Sequence, residues 1–235
     1  MEYSVVIPVY NEQKNLSPLL ESLLRVMGAI KKEYEIICVD DGSSDGSFEE
    51  LVEWKKKCPF LRIIRLERNY GQSTALACGL SRARGNIIIT LDSDLQNNPE
   101  DIPGLLNKIG PWDVVCGVRT RRSDSWLRII SSRIANSVRS RITGDRITDI
   151  GCSLKAYKRK FLKKIILFKG MHRFLPTLLK MEGAKILEVE VSHFPRKHGQ
   201  TSYGIWNRMF KSFIDLLAVK WMQKRRIEYR IKEEI

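Results

Sequence analysis

Three short polar clusters hold the residues of this 235-residue chain that are best suited to chemistry. They are Tyr10-Asn11-Glu12, Asp40-Asp41-Gly42-Ser43-Ser44-Asp45-Gly46 and Asp92-Ser93-Asp94-Leu95-Gln96. In the third, two carboxylates stand one residue apart and Gln96 adds an amide oxygen. A hard cation such as Mg²⁺ or Mn²⁺ takes oxygen ligands, and is held by one or two carboxylates together with substrate phosphates. Asp92, Asp94 and Gln96 are therefore candidate metal ligands. A second reading stays open, in which Asp94 or Asn98 caps the helix after Asn97-Asn98-Pro99. In the second cluster, Asp40 can accept hydrogen bonds from base N–H groups or ribose hydroxyls. Asp45 is placed to cap a helix starting near Ser47, and Gly42 and Gly46 permit sharp turns.

The elements between the clusters explain how they could meet. Strand-like runs at Tyr3–Val9, Glu35–Val39, Leu61–Leu66, Asn86–Leu91 and Asp113–Gly117 alternate with amphipathic stretches. Those stretches are Leu16–Met27, Ser47–Cys58, Ser73–Arg84 and Asp101–Lys108. The alternation predicts an α/β fold, a mostly parallel sheet with helices on both faces. Ligands of such sheets sit beyond the carboxyl ends of the strands. All three clusters fall at those ends, so they are expected to converge on one site.

The second half is basic. Arg119, Arg121, Arg122, Arg128 and Arg133 crowd one segment, and guanidinium groups suit bidentate phosphate binding. Trp126–Ile142 has helical spacing with an apolar face, which serves either core packing or a membrane surface. Thr148–Tyr157 reads as a turn into a strand, His172–Met181 as a helix and Lys185–Val191 as a strand. Ile205–Met222 is a second amphipathic helix, with Trp206, Met209, Phe210, Phe213 and Leu217 on one face and Arg208, Lys211 and Asp215 opposite. That apolar face suits lipid contact or dimerisation. The charged tail from Lys224 is read as helical.

Lys and Arg exceed Asp and Glu by 41 to 27, a net +14, so an anionic partner is favoured over a merely solvated basic surface. The aromatic interleaving of single-strand nucleic-acid binders is missing, and a phosphorylated lipid at a membrane surface fits better. Cys38, Cys58, Cys78, Cys116 and Cys152 are scattered and odd in number, which argues for a reducing compartment over a disulfide framework or zinc site. Tyr3–Ile7 reads as a strand and not a signal peptide, and no apolar run approaches a membrane span. His193 is read as structural, and His172 and His198 as possible phosphate contacts.

The clusters resemble family 2 glycosyltransferases of the GT-A fold, and within them the dolichyl-phosphate mannose synthase branch with its bacterial polyprenyl-phosphate relatives. The resemblance lies in Val6–Glu12, Val39–Gly46, Asn69-Tyr70-Gly71, Leu91–Gln96, Gly117-Val118-Arg119, Thr148–Gly151 and His172-Arg173-Phe174. It implies that Pro8, Tyr10, Glu12, Cys38 (mainly through its backbone) and Asp40 surround a nucleoside, and that Asp92, Ser93 and Asp94 hold ribose and diphosphate. Asp94 and Gln96 ligate Mg²⁺ or Mn²⁺, with Asp92 close by. Arg119, Arg128, Ser132 and Arg196 bind the acceptor phosphate and the donor diphosphate, and Asp92, Asp94 and Arg119 take part in catalysis.

The implied reaction moves a sugar, with inversion, from GDP-mannose or a UDP-sugar to a polyprenyl phosphate such as dolichyl or undecaprenyl phosphate. The alternative acceptor is a sugar or glycolipid hydroxyl, for which Asp149 is the candidate base. Residues 1–118 are the expected nucleotide-sugar half and 119–200 the acceptor half of one catalytic domain. Residues 201–235 are expected to form amphipathic and charged helices on the membrane surface. Two departures stand out. Gly199-Gln200-Thr201-Ser202 replaces the relatives' Gly-x-Ser-Lys, leaving Lys197 as a substitute phosphate contact, and the chain stops at Ile235 without transmembrane helices. The expectation is a cytoplasmic protein, peripheral at the inner face of the membrane, with no nucleic-acid partner.

Overall fold

The computed structural model describes residues 1–119, 136–145, 147–163, 165, 167–195, 205–227 and 233, with backbone alone over 205–211. Among them a seven-stranded sheet runs β3-β2-β1-β4-β6-β5-β7. The strands are β1 (Tyr3–Val9), β2 (Tyr34–Asp40), β3 (Leu61–Arg65), β4 (Ile87–Thr90), β5 (Val114–Arg119), β6 (Lys155–Lys158) and β7 (Ile186–Val191). β1 pairs in parallel with β2 and β4, β2 with β3, and β5 with β7, whereas β6 is antiparallel to β4 and β5. The mostly parallel α/β sheet read from the sequence is therefore the observed one. The antiparallel insertion of β6 carries no local signal, because strand direction is set by which neighbours the four residues Lys155–Lys158 pair with, here β4 and β5.

Period-two alternation divides the strands between two cores. Val5, Ile7 and Val9 of β1 and Ile36 and Cys38 of β2 face a cluster with Leu16, Leu19, Leu20 and Leu23 of α1 (Gln13–Ala29) and Leu51 of α2 (Ser47–Lys57). Ile102 and Leu105 of α4 (Ile102–Leu106) close that side. Val6, Ile37 and Val39 face the other cluster, made with Ala75, Leu76 and Leu80 of α3 (Gln72–Arg82) and Leu175, Leu178 and Leu179 of a helix at Leu175–Met181. Leu216 and Val219 of the C-terminal helix, Ile205–Lys224, complete it. Burying each such aliphatic side chain contributes about 1.5–3 kcal/mol. Gly79 sets the spacing of α3 from the sheet, since a Cβ there would stand 2.3 Å from Val6 Cγ1.

Several local readings are revised. Pro99–Asp101 is a 3₁₀ turn whose N–H groups are capped by Asn98, not Asp94: Glu100 N donates to Asn98 Oδ1 at 3.2 Å. The expected His172–Met181 helix begins instead as a 3₁₀ turn at Met171–Arg173. The C-terminal helix ends at Lys224, and residues 225–227 are not helical. Of the expected Trp126–Ile142 helix, residues 136–142 are described and helical. Asp215, expected on the polar face, turns inward, its carboxylate filling the space a side chain at Gly170 would need. Phe213, Ile214, Leu217 and Trp221 remain exposed. Among the described residues no helix is long and apolar enough to cross a membrane.

Candidate active site

The carboxyl edge of the sheet gathers the predicted clusters. At the end of β2, two consecutive carboxylates have different fates. Asp41 accepts hydrogen bonds from Tyr70 N and Gly71 N, both at 2.8 Å, and so clamps the loop between β3 and α3. Burial, and then the charge of Asp40, push its carboxyl up, against the pull of those two N–H groups. Gly42, at φ +70°, lets the turn pass the Arg68 backbone, which a Cβ would meet at 2.5 Å. Asp40 is fully buried. Its Oδ1 accepts from Ser43 N at 3.2 Å, but among the described residues Oδ2 has no hydrogen-bond partner, only the ion pair with Arg65 Nε at 3.5 Å. A buried carboxylate oxygen left this way is costly without a ligand.

Asp45 does serve the helix starts, from one position before the Gly46 N-cap of α2. Its carboxylate accepts from Ser47 N at 3.0 Å and from Gln13 N at 3.1 Å, joining the first turns of α2 and α1. At the end of β1, Glu12 Oε2 accepts from Asn15 Nδ2 at 2.5 Å, and Tyr10 is exposed on the rim. The Cys38 side chain points into the core, where burial pushes its thiol up, so only its backbone can reach a ligand.

The turn after β4 holds the third cluster. Leu95 adopts φ +60°, a conformation that L residues enter at a cost of about 1–3 kcal/mol, and such strain collects at functional sites. Ser93 Oγ donates to the Pro8 carbonyl at 3.1 Å, tying this turn to β1. Gln96 N donates to Asp94 Oδ1 at 3.2 Å, and the Gln96 side-chain N–H donates to the Phe194 carbonyl, which leaves the amide oxygen as an acceptor. Asp92 N donates to Ser153 Oγ at 3.1 Å, and Asp92 Oδ1 accepts from Gln72 Nε2 at 2.9 Å. Burial and then the charge of Asp94 push the Asp92 carboxyl up to about 6, while Ser153, Lys155 and Gln72 pull it back. The buried Asp94, the partly buried Asp92 and an amide oxygen make an oxygen donor set that fits Mg²⁺ or Mn²⁺, with substrate phosphates supplying further ligands. Among the described residues no ready-made group of three His, Cys, Asp or Glu competes for a metal.

Across β6 lies the cationic side. Arg119, at the end of β5, donates from Nε and Nη2 to the two oxygens of buried Asp149, at 2.7 and 2.8 Å. The bidentate pair fixes the guanidinium plane. The Thr148–Ser153 loop is held in turn by Glu188, which accepts from Thr148 and Asp149 N–H groups, and by Ser153, whose hydroxyl donates to Asn97 Oδ1 at 2.7 Å. His193, read as structural, forms an isolated bridge with Asn97. His172 Nδ1 lies 2.6 Å from Ser73 Oγ. A cleft opens beside Asp92, with Gln72, Gly151, Lys155, His172 and Arg173 among its walls.

Pro8, Ser93, Asp92, Asp94 and Gln96 thus form one turn-and-strand unit, with Asp40, Glu12 and Tyr10 on the neighbouring strand ends and Arg119 beyond β6. Arg128, Ser132 and Arg196 lie outside the described residues, as do Arg121, Arg122, Arg133, Lys197, His198 and Gly199–Ser202. Gln72, Asn97, Ser153 and Lys155 escaped the sequence reading. Only Gln72 had a cue, its place directly after Asn69-Tyr70-Gly71.

The model of the family described as glycosyl transferase family 2 matches residues 4–166. The chain is 38% identical over 230 residues to the dodecaprenyl-phosphate galacturonate synthase of Rhizobium johnstonii, covering 95% of this chain and 68% of that one. It is 42% identical over 205 residues to the undecaprenyl-phosphate 4-deoxy-4-formamido-L-arabinose transferase of Edwardsiella ictaluri, covering 86% and 63%. The chain therefore spans roughly two thirds of the length of these relatives. In fold it is similar to Mycobacterium tuberculosis glucosyl-3-phosphoglycerate synthase in complex with Mn²⁺, UDP and phosphoglyceric acid (TM-score 0.72, 15% identity, 97% of this chain and 80% of that one). It is also similar to a Pyrobaculum calidifontis mannosyltransferase in complex with GDP-Man and Mn²⁺ (TM-score 0.67, 18% identity, 97% and 65%). The architecture is GT-A, and the chain belongs to glycosyl transferase family 2.

Proposed function

We propose that this chain is an inverting glycosyltransferase that moves a sugar from a nucleoside-diphosphate sugar to a polyprenyl phosphate. The observation that carries the reading is the pairing, on one sheet edge, of the Asp92–Asp94–Gln96 donor set with an Arg119 held bidentately by Asp149. Asp40, with an open buried oxygen, takes a base N–H or a ribose hydroxyl, and Tyr10, Glu12 and the Pro8 and Cys38 backbone line that end. Asp92, Asp94 and Gln96 would hold Mg²⁺ or Mn²⁺, which when bound would neutralise charge on the leaving diphosphate. Arg119, with Arg128, Ser132 and Arg196, orients two mutually repelling anions, an entropic contribution that needs a fixed guanidinium. An acceptor phosphate is ionised at neutral pH, so its attack on the anomeric carbon needs no strong base. The two relatives of 38% and 42% identity are named for polyprenyl-phosphate sugar products or substrates, which supports this acceptor.

A hydroxyl acceptor would need a general base, and Asp149 was the candidate. Both of its oxygens are engaged by Arg119, so no observation favours that reading. Residues 1–118 act as the donor half and 119–200 as the acceptor half. Residues 201–235 lie on the membrane at its inner, cytoplasmic face, where Phe213, Ile214, Leu217 and Trp221 meet lipid. The test is transfer of radiolabelled sugar from nucleotide-sugars to undecaprenyl or dolichyl phosphate with Mn²⁺. Label in the lipid fraction is expected with at least one common donor; none with any of them would sink the reading.

A further inference from the structure

Lys155 is an unusual group for the floor of a cleft. Only 3% of it is exposed, and its ammonium donates to the Ile150 and Cys152 carbonyls. An ammonium has three donors. Among the described residues the third has no acceptor, and no carboxylate lies within ion-pair distance of Nζ. Asp92 is near enough to feel its charge but forms no ion pair with it. Buried cations are ordinarily paired, because desolvating one without a counter-charge is expensive. Here two neutral carbonyls hold the ammonium in place and leave it, among the described residues, without an ion pair beside the reactive edge. Arg173 adds a second cation to the same cleft, its guanidinium braced by the Ser212 hydroxyl of the C-terminal helix.

We infer that Lys155 is the anion-recognising residue of this cleft and that the substrate group beside Asp92 bears anionic oxygens. Two sources carry that chemistry, a carboxylate on the transferred sugar and the phosphate of the acceptor. The inference rests on the donor-site reading above. It adds a named contact and a charge requirement that the strand-end motifs do not contain.

The experiment is calorimetry on the full chain with Mn²⁺, comparing wild type with Lys155→Met. The control ligand is UDP or GDP, whichever the wild type binds. One arm compares nucleotide-linked glucuronate with nucleotide-linked glucose on that base; the other compares farnesyl phosphate with farnesol. Loss of a charge-assisted hydrogen bond predicts roughly tenfold or greater weakening in an anionic arm, with the control within about twofold of wild type. Weakening of the glucuronate arm assigns the anion to the sugar, weakening of the farnesyl phosphate arm assigns it to the acceptor, and either supports the inference. Unchanged binding in both arms, with the control intact, overturns it.

Thermal melting gives a second readout. A ligand-binding lysine predicts that Lys155→Met keeps or raises Tm, because an unpaired buried charge is gone, whereas a purely structural lysine predicts a fall in Tm with both arms unchanged. If Lys155→Met loses the control ligand, Lys155→Gln is read in the same way, and loss of the control in both variants makes Lys155 structural and overturns the inference. A wild type that binds neither UDP nor GDP contradicts the donor-site reading instead.

Discussion

The two edges of the sheet treat buried charge in opposite ways. At the amino edge, Glu35 opens β2 and is sealed: its carboxylate accepts from Ser4 Oγ at 2.7 Å, Arg62 Nη1 at 2.5 Å and Arg84 N at 2.7 Å. Ser4 Oγ also accepts from Gly85 N, so one network joins β1, β2, β3 and the turn before β4. At the carboxyl edge of the same strands, among the described residues, Asp40 keeps an oxygen without a hydrogen bond and Lys155 an unanswered donor, and Asp92 is pushed up by burial and by Asp94. A protein gains stability by satisfying buried polar groups and gains binding by leaving some for a ligand. The amino edge holds the fold together, and the carboxyl edge holds its interactions in reserve.

That contrast can be broken by mutation, and the largest effect belongs to the amino edge. Glu35→Ala leaves Arg62, Ser4 and the Arg84 N–H unpaired, and is expected to cost about 2–3 kcal/mol after allowing for the partial exposure of Arg62. Denaturant unfolding measures this, with nucleotide affinity unchanged in the protein that stays folded. Asp40→Asn should behave in reverse: stability equal to or above wild type by the same measurement, and nucleotide binding weaker by about tenfold. Equal losses of stability at both positions would erase the distinction between the edges.

A smaller effect sharpens it through pH. Burial pushes the Glu35 carboxyl up, but its hydrogen bonds to Ser4, Arg62 and Arg84 outweigh this and leave it below the ordinary 4.5. A group lowered in the folded state stabilises fully above its unfolded value and loses that contribution as pH falls through the folded one. The stability gap between wild type and Glu35→Gln should therefore be widest at neutral pH and narrow below about pH 4. A gap that widens on acidification would contradict the assignment.

The sequence shows this contrast only in part. Strand–helix alternation and the acidic strand ends are local patterns, and both the parallel half of the sheet and the gathering of Asp40, Asp92, Asp94 and Gln96 follow from them. Which carboxylate is satisfied is not local. Asp40 and Asp41 are identical neighbours, and only the return of Tyr70 and Gly71 from the next loop separates them. The burial of Lys155 is likewise not local, because it comes from the antiparallel placement of β6 between β4 and β5. The Arg119–Asp149 pair spans 30 residues of chain that no periodicity relates.

The central claim is that the carboxyl edge is a metal-dependent nucleoside-diphosphate site, and calorimetric titration of UDP and GDP into the wild type and Asp94→Ala, with and without Mn²⁺, tests it most directly. The account predicts binding of one nucleotide that requires Mn²⁺ and is weakened at least about 100-fold by Asp94→Ala, as expected for loss of a metal-bridged diphosphate. Nucleotide binding indifferent to both the metal and the substitution would contradict it.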